Sequence, residues 1–108
     1  MVSNLRDYAN PSRVDSMKIN VRVFGDLVSI LGRKQVVELN EGSTILSLAN
    51  KLAEKAGLKR QGYLGNHKVG GDELAVLVNG RNIRLLNALD TILHDEDEVV
   101  ILPPAAGG

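Results

Sequence analysis

One stretch of this sequence has the length and spacing of an amphipathic helix, and the sequence around it reads as short strands. Ser43 or Thr44 can cap a helix that runs to about Ala56. Ile45, Leu48, Ala49, Leu52 and Ala56 recur at helical spacing and define one apolar face, while Lys51, Glu54 and Lys55 stay outside. Gly57 suits the position just past the helix end. A lone helix with one apolar face must pack on something, and strands on both sides of it in the chain can supply a sheet.

Residues 18–24 alternate, with Ile19, Val21 and Val23 on one face and Lys18, Asn20 and Arg22 on the other. Phe24 breaks this alternation by placing a ring on the polar face. Residues 25–32 hold four apolar side chains between two glycines and read as a short helical turn. Residues 34–39 form a second strand, followed by the turn Asn40-Glu41-Gly42. After the helix, residues 59–72 read as a loop containing Gly62, Gly65, Gly70 and Gly71. Residues 74–78 are a strand, Asn79-Gly80 a hairpin turn and 81–83 a short return strand. Residues 85–93 are apolar and mixed, 95–98 an acidic turn, and 99–102 a final strand.

The run Val99-Val100-Ile101-Leu102 is continuously apolar, as expected of a central strand covered at least partly on both faces. It should lie beside the first strand and parallel to it. The expected fold is α+β: a β-grasp, or ubiquitin-like, mixed sheet with one main helix packed on one face. The expected core contains Ile19, Val21, Val23, Ile45, Leu48 and Leu52, with Val76 or Leu77 and Val99 or Ile101. Residues 17–102 would make this domain, 1–16 a disordered N-terminal extension and 103–108 a flexible tail.

Composition narrows the function. The chain has 108 residues, enough for one small domain, and with Phe24, Tyr8 and Tyr63 as its aromatic residues the core must be aliphatic. Thirteen basic and thirteen acidic residues cancel, which argues against nucleic acid as a partner. There is no cysteine, so disulfides, thiolate metal sites and side-chain thiol chemistry are excluded, and a reducing cytoplasm is the expected location. No segment approaches the roughly 20 apolar residues that span a bilayer, and without a charged n-region and apolar h-region at the start, secretion is not expected. His67 and His94 read as surface histidines, and Asp95, Glu96, Asp97 and Glu98 as a solvated turn; no metal site is expected. The glycines of 59–72 lack the Gly-Lys-Ser/Thr of a phosphate loop. No catalytic constellation is present, and the chain is expected not to be an enzyme.

The chemistry instead points to the end, Pro103-Pro104-Ala105-Ala106-Gly107-Gly108. Proline cannot extend a sheet ladder, so the last strand should stop near Leu102. Two prolines in a row favour an extended course, which loses less entropy on insertion into a partner. Gly107 and Gly108 lack Cβ and can thread a narrow channel. The carboxylate of Gly108 is then the expected reactive group, and the chain a carried substrate rather than a catalyst. Phe24 has two readings: buried edge packing, or a partly exposed docking patch with Leu102 and Arg22.

These residues resemble a known family. The segment Leu93-His94-Asp95-Glu96-Asp97-Glu98-Val99 and the Pro-Pro-x-x-Gly-Gly ending resemble the small subunit of molybdopterin synthase and the small archaeal modifier proteins. The likeness extends to Val23-Phe24-Gly25 with Leu27, and to Gly42-Ser43-Thr44-Ile45, and covers about residues 17–108. Members usually have glycine where Glu96 stands, and the 59–72 loop is longer here than in compact members.

The resemblance implies that a ubiquitin-activating-type enzyme uses ATP to adenylate the Gly108 carboxylate, with no cofactor bound permanently to the chain. The acyl adenylate then becomes a thiocarboxylate, as in a sulfur carrier, or is captured by lysines of target proteins, as in a modifier. Implied partners are the adenylating enzyme, the molybdopterin synthase large subunit and target lysines. The expected tail and partner-docking residues are Pro103, Pro104, Ala105, Ala106, Phe24, Leu102 and Arg22. Without cysteine, any sulfur carried must sit on Gly108. The alternative is a β-grasp interaction module with an unreactive tail.

Overall fold

The computed structural model describes residues 16–60, 62–71 and 74–103. Strand β1 (Ser16–Val23) pairs antiparallel with β2 (Lys34–Asn40), from Ser16 opposite Asn40 to Arg22 opposite Lys34. Between them lie a 3₁₀ turn (Gly25–Leu27) and a one-turn helix, α1 (Val28–Leu31), the expected helical turn. The main helix, α2 (Ile45–Lys55), follows. Then come a miniature hairpin of β3 (Tyr63–Leu64) and β4 (His67–Lys68), a second hairpin of β5 (Ala75–Val78) and β6 (Arg81–Asn82), and β7 (Glu98–Leu102).

The main sheet has the order β2-β1-β7-β5-β6. β1 and β7 run parallel, with Val21 opposite Val99 and Val23 opposite Ile101, while β5 pairs antiparallel with the other edge of β7. A parallel pair needs a long crossover. Here the crossover contains α2 and the second hairpin, so α2 packs across one face of the sheet. The result is the β-grasp fold, with β7 at the centre as its unbroken apolar sequence requires.

The boundaries of α2 have local causes. Thr44 Oγ1 accepts the Ser47 N–H at 3.3 Å, and Ser47 Oγ accepts the Thr44 N–H at 3.2 Å, a reciprocal capping box. At the other end Gly57 N–H bonds the Glu54 carbonyl and Leu58 N–H the Ala53 carbonyl, which closes the helix in a Schellman motif. Ile45, Leu48, Ala49, Leu52 and Ala53 are buried. Ala56 is only partly buried, because it sits at the cap where the chain turns away, and Ala53 widens the apolar face in its place.

The core is aliphatic throughout. Val76, Val99 and Ile101 join Ile19, Val21 and Val23 beneath Leu48 and Leu52, whereas Leu77 faces the opposite side of the sheet. The 59–72 segment differs from the expected loop. Its hairpin turns at Gly65, and Leu64 and Val69 flank it as buried core residues. Two-residue strands carry no period that a sequence can display. The return strand after Asn79-Gly80 is also shorter than expected: Ile83 leaves β6 and enters a 3₁₀ turn (Ile83–Leu85), which buries its side chain.

The acidic turn is a structural joint as well as a solvated surface. Asp95 accepts the Lys18 N–H at 2.7 Å, and Asp97 accepts the His94 N–H and the Asn79 Nδ2–H, each at 2.8 Å. These bonds fasten the entry to β7 onto β1 and the 79–80 turn. Glu96 lies between them with φ +71. That left-handed conformation strains any residue with Cβ, so a turn built for glycine persists with glutamate in it. Relief of the strain should outweigh the added chain entropy of glycine, and Glu96→Gly is expected to raise stability by roughly 0.5–1 kcal/mol. Urea midpoints should show the gain for Glu96→Gly and none for Glu96→Ala.

Candidate functional site

β7 delivers the chain to Pro103 at one end of the sheet. Val99 and Ile101 point down into the core, while Val100 and Leu102 are half-buried on the face away from α2. Arg22 lies opposite Val100 in the parallel register, so its side chain shares that open face. One residue beyond β1, the Phe24 N–H donates to the Ile101 carbonyl at 3.1 Å and extends the ladder to the root of the tail.

Phe24 is 43% exposed, which removes the buried-edge reading. The Arg22 guanidinium lies 5.7 Å from the ring centroid, within reach of a cation–π attraction. Arg22 also approaches Glu98 at 3.9 Å, but both side chains are nearly half exposed and such a pair contributes little. The structure thus gathers Arg22, Phe24, Leu102 and Pro103 around the point where the chain leaves the sheet. Pro104, Ala105, Ala106, Gly107 and Gly108 lie outside the described residues, as does the extension expected for 1–16 apart from Ser16, which opens β1.

A groove of about 810 Å³ opens beside this root. Arg22, Arg33 and Lys34 line it with Phe24, Gly25 and Asp26, so cations outnumber carboxylates. Asp26 is itself engaged: both its carboxylate oxygens lie 3.2–3.3 Å from His67 Nε2. His67 is mostly buried rather than a surface residue, with a side chain 13% exposed, whereas His94 is open to solvent. No sequence signal could have paired His67 with Asp26, because the contact depends on the miniature hairpin. Among the described residues no cluster of His, Asp and Glu could hold a metal ion, and no helix is long and apolar enough to cross a membrane.

A mixed sheet whose parallel central strands carry one helix on one face, and whose β7 ends at a proline, defines a ubiquitin-like β-grasp protein. More narrowly, the chain belongs to the ThiS family, whose sequence model matches residues 21–108. Small archaeal modifier protein 3 of Haloferax volcanii is 31% identical over 94 residues, spanning 85% of this chain and 100% of that protein. The solution structure of small archaeal modifier protein 1 from Methanosarcina acetivorans superposes with a TM-score of 0.65 at 26% identity, covering 86% of this chain and 98% of that one. A chain of the Amycolatopsis orientalis BexX/CysO complex, also 26% identical, gives a TM-score of 0.58 over 83% of this chain and 99% of its own. The protein is a ubiquitin-like member of the sulfur-carrier and modifier group.

Proposed function

We propose that this protein presents the Gly108 carboxylate to an adenylating enzyme, then carries sulfur there as a thiocarboxylate or is joined through it to lysines. The observation that supports this most is the extent of the family match, which runs through Gly108 and so takes in the diglycine. A free carboxylate is a poor electrophile because oxide is a prohibitive leaving group. Attack of a carboxylate oxygen on the α-phosphorus of ATP expels pyrophosphate and leaves an acyl adenylate. A sulfide-level nucleophile that displaces AMP gives the thiocarboxylate. A lysine amine that displaces AMP gives an isopeptide bond. Both branches use the same activation, and the chain supplies no catalytic side chain to either.

The partner is proposed to dock on the tail root and the open face of the sheet. Phe24 and Leu102 offer apolar contact, and Arg22 a charge within cation–π reach of the Phe24 ring. Val36, 56% exposed on the same face, extends that surface across β1 to the sheet edge. The neighbour in the BexX/CysO complex supports a protein as the class of partner. An activating enzyme fits this role, and a molybdopterin synthase large subunit is the proposed second partner on the sulfur branch.

Mass analysis of the protein recovered from its own cells tests the proposal. A species heavier by the difference between sulfur and oxygen marks the thiocarboxylate. Gly-Gly remnants on lysines of other proteins mark conjugation. Recovery of only the unmodified chain, with no remnant on any target during active growth, would favour an interaction module with an unreactive tail.

A further inference from the structure

We infer that Gly25 is a positioning residue, the seat that fixes the direction in which Pro103 sends the reactive tail out of the sheet. This rests on the carrier and modifier function proposed above and adds a residue to it. A Cβ built on Gly25 would stand 2.9 Å from Pro103 Cγ and 3.4 Å from its Cδ. The proline ring therefore lies on bare glycine backbone, closer than any other residue would allow. Gly25 also has φ +73, so a side chain here would meet strain in the backbone as well as the ring.

The seat is held from below. Asp26, the next residue, is bound by His67 from β4. Gly65, at the turn of the same hairpin, packs closely on Leu27 and Ile30, since a Cβ there would come within 3.2 Å of both. The hairpin thus clamps the segment that carries Gly25. From above, the Phe24 N–H bond to Ile101 fixes the last turn of chain before the proline. Pro103 has a locked φ and a fixed surface beneath it, so its exit vector is set by packing and not by chance. Loss of that direction is costly, because a tail that leaves the sheet in other directions is ready to enter a partner only a fraction of the time, and apparent binding weakens by that fraction.

The test is ATP–pyrophosphate exchange by an activating enzyme from the protein's own cells, with variants of this chain as the varied substrate. Gly25→Ala is expected to raise KM on the order of tenfold to a hundredfold while kcat stays near wild type. Pro103→Ala removes Cγ and Cδ without backbone strain and should shift KM in the same direction. The double variant should be no worse than Gly25→Ala alone, because each change breaks the same contact, one by filling the seat and the other by removing the ring. Gly42→Ala is the control: its φ of +87 carries comparable strain, nothing lies within 4 Å of the added Cβ, and it sits at the opposite end of the sheet. It should keep the wild-type KM. In parallel, proton cross-relaxation between Gly25 Hα and Pro103 Hγ should be present in the wild-type chain and lost in folded Gly25→Ala. Absence of that cross-relaxation in the wild type, or an unchanged KM in both Gly25→Ala and Pro103→Ala, would overturn the seat. Absence of exchange with the wild-type chain would instead overturn the carrier and modifier function itself.

Discussion

Deletion of Gly107 and Gly108 is expected to leave a folded protein that its activating enzyme no longer adenylates. The aliphatic core is assembled from β1, β2, α2, the two hairpins and β7. Ending the chain at Ala106 removes none of it. The new carboxylate would fall two residues short, about 7 Å of extended chain, and would carry a Cβ where a narrow channel accepts none. One residue added beyond Gly108 should be nearly as damaging, because it moves the carboxylate the other way. Circular dichroism and thermal melting should be unchanged for both variants, while exchange falls to background. An interaction module makes the opposite forecast, with both variants as competent as the wild type. Undiminished exchange in the deletion variant would remove the sulfur-carrier and modifier functions together.

Leu52→Ala is expected to produce the largest loss of stability. Leu52 is 1% exposed and shares its surroundings with Leu48, Leu64, Val76, Val99 and Ile101, drawn from α2, the small hairpin, β5 and β7. Truncation there loosens four elements at once. The cost should be roughly 2–5 kcal/mol, a large part of the 5–15 kcal/mol typical of such a domain. Tm should fall by on the order of 10 °C or more. Leu48→Ala should behave alike, while Leu85→Ala, at a residue 80% exposed, should stay within about 0.5 kcal/mol of wild type. If Leu52→Ala melted with the wild type, the assignment of the buried helix face would be wrong.

What the sequence made legible follows from which contacts are local. Thr44 and Ser47 cap α2 across a single turn, and Leu48 and Leu52 recur at its period, so the helix and its face could be read directly. Asn79 and Gly80, with φ of 50 and 87, form the turn that their residue types demand. The parallel contact of β1 with β7 followed from the apolar character of both strands. Other features depend on residues far apart. Leu64 and Val69 sit among glycines without any pattern and are buried only because the hairpin packs against α2 on the core face of the sheet. His67 meets Asp26, and Asp95 meets Lys18, through tertiary placement alone. At the candidate site, the sequence singled out Phe24, Arg22 and Leu102 but left the exposure of Phe24 open. The closeness of Gly25 to Pro103 had no signal at all, since a glycine that permits contact looks like any other glycine.

The position of β7 also has a mechanical consequence. β1 and β7 are parallel, so tension between Pro103 and the start of β1 at Ser16 slides the two strands past each other along their length. Their ladder bonds lie across that direction and bear the load together rather than opening one by one. On its other edge β7 is gripped by β5. Single-molecule extension between these two ends should therefore rupture at a higher force than extension across the β5–β6 hairpin, where pairs separate in turn. A body anchored in this way would resist being dragged by its tail into a narrow unfolding pore, and whatever pulls on the tail of this protein would meet its strongest seam first.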